Sequence, residues 1–139
     1  MDKDKQPGIR FNGIILVEEK FWRDYIIPED AKLDLKLESG NNKLDNSYNV
    51  ELKAILRLIK DDKETLTLES RFVGFFTVIK GSENMDIDEY IKNNAPALMF
   101  PYVREHISAI TIKAGIKPIL VPPLNMRALL KKQQNNISE

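Results

Sequence analysis

The chain has 139 residues and no cysteine, and its 21 Lys and Arg balance 21 Asp and Glu to a formal net charge of zero. That length excludes a second full-sized domain. The missing thiols exclude a disulfide framework, a thiol nucleophile and Cys-ligated zinc, and the neutral balance gives no long-range field for nucleic acid or an anionic membrane.

Hydrophobic residues at 42% and charged residues at 30% describe an ordinary globular domain, with the cytoplasm as its expected setting. Residues 1–8 are charged and expected to be flexible, and 133–139 form a polar tail, leaving one domain over 9–132. The apolar run Ile14 to Val17 is closed by Glu18 and Glu19, far short of a signal-peptide core of about 7 to 15 residues. No export signal is expected. The longest mainly apolar stretch, Ala95 to Val103, carries Pro96 and Pro101 and does not approach the roughly 20 residues that cross a bilayer.

In chain order, Ile9, Phe11, Gly13, Ile15 and Val17 alternate as a strand that ends in a charged cluster, with Ile14 and Leu16 as extra apolar residues on its second face. Trp22, among Lys20, Arg23 and Asp24, then falls in a loop. Leu33, Leu35 and Leu37 form a half-buried strand ended by Ser39-Gly40-Asn41-Asn42. From Tyr48 to Ile59 the strict two-residue period outweighs helix-forming composition and predicts a strand. A polar turn at Asp61 to Glu64 leads into Thr65 to Ile79, whose second half is apolar on both faces. It needs cover on two sides.

Asp86 to Lys92 predicts a short helix with acids in its first turn, stopping near Asn93-Asn94. A long helix follows from about Pro96 to Ala114, with Gly115 as its stop. Lys117 to Pro123 is extended, and Asn125 caps a short final helix to about Lys132. The expected class is therefore α+β, a four-stranded antiparallel sheet followed by a long helix and a short C-terminal helix. One helix hides one face of such a sheet. The other face predicts an oligomer or a ligand surface.

Catalytic patterns are missing. His106 lies on a helix beside Glu105 and near Ser108, and residues one and two apart diverge around a helix axis, so they form no triad. Asp61-Asp62 and Asp86-Asp88 are explained by a turn and a helix N-terminus. No metal, cofactor or enzymatic activity is expected, and the Lys131-Lys132 pair is too short for a nucleic-acid patch.

The run Asn94-Ala95-Pro96-Ala97-Leu98-Met99-Phe100-Pro101-Tyr102-Val103-Arg104-Glu105 resembles the signature of the SecB family of export chaperones. Gly115, the Pro118 to Asn125 connection, Ala128-Leu129, Glu69 and Gly74-Phe75-Phe76 extend the similarity over about 9–132. The resemblance implies an ATP-independent holdase for unfolded or pre-export polypeptide, assembled as a dimer of dimers with long helices sandwiched between sheets. It also implies docking on the translocation motor ATPase SecA through acidic surface, with Glu69 as the docking residue. The chain departs from the family at Lys20 to Pro28, where the connection is altered, and keeps Glu69 as the sole expected acid. A SecB-like chaperone dedicated to one client, such as an antitoxin, is the alternative, and a fold-related binding protein with no groove is a third.

A holdase needs apolar side chains left in water. The candidates for peptide binding are Trp22, Tyr25, Phe76, Val78, Ile119, Leu120, Val121 and Leu124, and those for the oligomer interface are Tyr102, Val103, His106, Ile107 and Ile110. Phe76 and Val78 are equally good candidates for the core.

Overall fold

The structure, a computed structural model, describes residues 8–79, 86–117, 119 and 121. Four strands, β1 (Ile9–Arg23), β2 (Lys32–Leu44), β3 (Ser47–Lys60) and β4 (Lys63–Val78), form one antiparallel sheet in the order β1-β4-β3-β2. Among the described residues a single helix, α1 (Ile87–Lys113), lies across one face of it, over β2, β3 and β4.

The alternation read in the sequence sets the faces. Tyr48, Val50, Leu52, Ala54 and Leu56 of β3 point under the helix, opposite Phe76, Gly74, Phe72, Ser70 and Leu68 of β4. With Leu37, Leu66, Ile91, Met99, Phe100, Val103 and Ile107 they make one core. Both short hairpins use aspartates at positive φ, Asp45 in the β2–β3 turn and Asp61 with Asp62 in the β3–β4 turn. Two successive positive φ values are what a two-residue type I′ hairpin needs.

Strand lengths differ from expectation. β2 runs through Ser39 to Asn42, because each of these residues pairs with β3, and turns at Asp45-Asn46 instead. β1 continues past Glu18 to Arg23, so Trp22 lies in a strand. Its partner register skips at Asn12 and at Val17, each an extra residue in a β-bulge. The skips set Phe11, Ile14, Leu16, Glu19, Phe21 and Arg23 opposite the helix-facing residues of β4. That explains why apolar residues of β1 occupy both odd and even positions.

The expected two helices before Gly115 are one. Asp86 caps it through its carboxylate on the Glu89 amide at 3.1 Å, and Asp88 and Glu89 fill the first turn. Asn94 does not stop the helix, for its side-chain amide donates to the Tyr90 carbonyl one turn back at 3.2 Å. Pro96 and Pro101 lie inside, each removing one i→i−4 hydrogen bond. Burial of Ile91 and Ala95 before them, of Met99 and Phe100 between them and of Val103 after them outweighs that loss. The helix ends as expected at Gly115 (φ 73°), whose amide bonds to the Ile112 carbonyl while that of Ile116 bonds to Thr111, a Schellman arrangement. The expected class of a four-stranded sheet followed by a long helix and a short C-terminal helix is thus corrected to a sheet and one long helix among the described residues. The stretch 125–132, read as a short C-terminal helix, lies outside them.

Candidate functional site

Beyond β1 the chain crosses to β2 through residues 24–31, at the end of the sheet where α1 terminates. This connection presents Tyr25 at 95% and Ile26 at 80% exposure, while the next residue, Ile27, packs on the core. Three consecutive apolar residues in a chain heading for Pro28 cannot all turn inward. The segment is nonetheless fixed. The Asp24 amide donates to the Thr65 carbonyl at 2.8 Å, the Asp24 carboxylate accepts from the Tyr25 amide at 3.0 Å, and it pairs with Lys63 at 3.5 Å. Further along, the ammonium of Lys60 holds the carboxylate of Asp30 and lowers its pKa below the usual range.

The Arg23 guanidinium completes the frame. Its Nε donates to the Asp24 carbonyl at 2.8 Å, Nη2 to that of Tyr25 at 2.8 Å and Nη1 to that of Ala114, the C-cap of α1, at 2.6 Å. Trp22, one residue earlier, faces the other side of the sheet, half-exposed beside Thr67.

The remaining peptide-binding candidates are placed differently. Phe76 is fully buried, stacked on Phe11 with centroids 4.9 Å apart, and Val121 is buried too. Val78 and Ile119 are half-buried against the core. Leu120 and Leu124 lie outside the described residues. The structure thus brings Trp22 and Tyr25 to one exposed end, and Ile26 joins them. Sequence reading passed over Ile26, although the crowding of Tyr25-Ile26-Ile27 before a proline signals that one of them must face water.

A second exposed apolar region runs along the side. Leu98, Tyr102 and Ile112 are exposed on α1, and Ile15, Leu16 and Val17 on the edge strand β1. Phe11 meets the Tyr102 ring edge-on at 5.8 Å, which joins strand to helix. Of the interface candidates, Tyr102 is half-exposed, His106 and Ile110 are partly buried, and Val103 and Ile107 are fully buried in the protomer's own core. His106 Nε2 lies 3.1 Å from Glu19 Oε1, with its ring edge-on to Phe72, and the other Glu19 oxygen accepts from the buried Ser70 hydroxyl. The carboxylate stands between serine and histidine, so the histidine cannot take the serine proton. This cluster ties strand to helix and is no nucleophile.

The outer sheet face carries charges of both signs. Glu69 lies 3.7 Å from Lys20 and 3.4 Å from Lys53, and Arg71 lies 4.0 Å from Glu18 and 3.5 Å from Glu51. Surface pairs of this kind add little stability, and Glu69 has a lysine on either side of it. Among the described residues no group of His, Cys, Asp or Glu could hold a metal ion, and no helix is long and apolar enough to cross a membrane.

Residues 20–137 match the family model described as preprotein translocase subunit SecB. The protein-export protein SecB of Orientia tsutsugamushi is 32% identical over 117 residues, covering 81% of this chain and 71% of that protein. That of Neisseria meningitidis Z2491 is 27% identical over 106 residues, covering 76% and 72%. Among solved structures, a SecB-like chaperone of Mycobacterium tuberculosis in complex with a ChAD peptide from the HigA1 antitoxin superposes with a TM-score of 0.70. It is 18% identical and covers 84% of this chain and 87% of that one. At that identity the likeness speaks to the fold.

Proposed function

The chain belongs to the SecB family, chaperones that bind polypeptide clients without ATP, and we propose that it grips non-native chains in the cytoplasm through the Tyr25-Ile26 tip and neighbouring Trp22. The observation that carries this reading is two adjacent large apolar side chains held almost wholly in water by a fixed connection. Apolar burial contributes about 25 cal/mol per Å², and a rigid tip has little conformational freedom left to lose on binding. Tyr25 supplies a broad face to side chains of any sequence, which suits many clients.

We further propose a homo-oligomer, a dimer of dimers, in which Leu98, Tyr102 and Ile112 of α1 and the exposed edge of β1 meet other copies. An unpaired strand edge and apolar residues on the far side of the helix support it. Several tips in one assembly then hold a client that each holds weakly.

A second reading, a chaperone dedicated to one client such as an antitoxin, is favoured by the self-paired outer face, which offers a translocation motor such as SecA no net acidic patch around Glu69. The test is suppression of aggregation of a slowly folding protein at stoichiometric ratio, alongside solution mass with and without an unfolded peptide. Suppression that is lost on Tyr25→Ala with Ile26→Ala, the mass unchanged, supports the general holdase. Absence of suppression by the intact oligomer, with capture of a single cellular polypeptide in pull-down, favours the dedicated one. Absence of both rejects client binding.

A further inference from the structure

We infer that Arg23 is the positioning residue of the client grip, a guanidinium fork that fixes the Tyr25-Ile26 tip to the end of α1. The inference rests on the tip being the gripping surface. Its ground is that one side chain satisfies three main-chain carbonyls from two separate parts of the chain, those of Asp24 and Tyr25 in the connection and that of Ala114 at the helix C-cap. The last carbonyls of a helix have no partner within it, and they carry the negative end of its dipole, where a cation is favoured. The Ala114 carbonyl therefore makes a natural anchor for Arg23, and the remaining nitrogens reach the connection.

The second bulge of β1 places the fork. After Val17 the register returns Glu19, Phe21 and Arg23 to the helix side, with Arg23 opposite Leu66, and sends Trp22 to the outer face opposite Thr67. Arg23 and Trp22 thus brace and flank the same exposed end from opposite sides of the sheet. The Asp24 carboxylate holds the Tyr25 amide while Arg23 holds the Tyr25 carbonyl, so the tip residue is fixed at both of its peptide groups. A lysine cannot reproduce this. Its ammonium is a point charge on a flexible stem, whereas the guanidinium is a planar fork that meets several acceptors at once.

The experiment measures binding of fluorescein-labelled, reduced and carboxymethylated lactalbumin, a permanently unfolded probe, to the assembled protein and to Arg23→Gln and Arg23→Lys. Each is made alone and in a Tyr25→Ala, Ile26→Ala background. Loss of charge-assisted hydrogen bonds to the tip predicts affinity weakened roughly fivefold by either Arg23 variant. In the background without the tip the same variants change affinity by less than about 1.5-fold, the signature of two sites acting through one another. Amide exchange over 24–27 quickens in Arg23→Lys while β3 and β4 keep their protection. Equal loss in both backgrounds overturns the inference, as does wild-type affinity in the Arg23 variants when the tip variant is weakened. A tip variant that binds as tightly as wild type removes the proposed gripping surface itself, and this inference with it.

Discussion

Gly74 of β4 lies directly against Met99 of α1, so closely that a Cβ at position 74 would stand 2.9 Å from the Met99 sulfur and 3.1 Å from its Cγ and from Cε2 of Phe76. The glycine is required by approach, not by backbone angle. Gly74→Ala forces helix and sheet apart or turns Met99 out of its rotamer, and overpacking of this kind costs about 1–3 kcal/mol. Urea unfolding of Gly74→Ala, Met99→Ala and the double variant checks it, with the double variant less destabilised than the sum.

Glu19 holds the hydroxyl of Ser70 and the ring of His106 from a single carboxylate. Glu19→Ala leaves the fully buried Ser70 hydroxyl without its acceptor, at a cost of about 1–3 kcal/mol. Adding Ser70→Ala recovers part of that loss. Chemical denaturation of the two variants at neutral pH measures the recovery.

Tyr48 is buried under the sheet end, and its hydroxyl donates to Asp88 in the first turn of α1. Burial first, then the bond to Asp88 and the charges of Asp88 and Asp86, push the phenol up to about 12 from 10.0. Above pH 10 the unfolded chain loses this proton while the folded one keeps it, so the unfolded state binds fewer protons and stability falls with pH. The contribution is complete below pH 10 and is lost between pH 10 and about 12, on the order of 2 kcal/mol. Tyr48→Phe removes that component, so the difference between variant and wild-type unfolding curves at pH 9 and pH 11.5 isolates it from the other titrating groups.

Ile107 and Tyr102 separate core from interface on one helix. Ile107 is fully buried within the protomer, and Ile107→Ala lowers unfolding stability by about 2–5 kcal/mol. Tyr102 is half-exposed, and Tyr102→Ala costs the protomer less than about 1 kcal/mol while lowering the mass of the assembly. Sedimentation combined with thermal unfolding distinguishes the two effects.

Much of this is legible in the sequence. The period of β3, the acidic first turn of α1 and the stop at Gly115 are local signals, and the structure has each in its place. The extent of β1 and β2 is not legible, because Glu18 to Lys20 and Ser39 to Asn42 disfavour strands individually and are held there by pairing with β4 and β3. The single helix was masked in the same way, since tertiary burial on either side of Pro96 overrides the proline. At the candidate site, Trp22 stands out in the sequence among Lys20, Arg23 and Asp24, a setting that reads as a loop and is the end of a strand. Composition does not separate Phe76 from the core, and its stacking on Phe11 joins residues far apart in the chain. Val103 and Ile107 carried the same ambiguity, for α1 has apolar residues on opposite sides and one-dimensional spacing does not say which side meets the sheet.

The skips at Asn12 and Val17 give β1 two residues more than β4 needs to pair with it. A deletion at either place would straighten the strand locally and leave every downstream side chain facing as it does now. In a regular strand, losing one residue would turn the rest inside out. A change of length by one residue is therefore cheapest in this border strand, at the two spare positions.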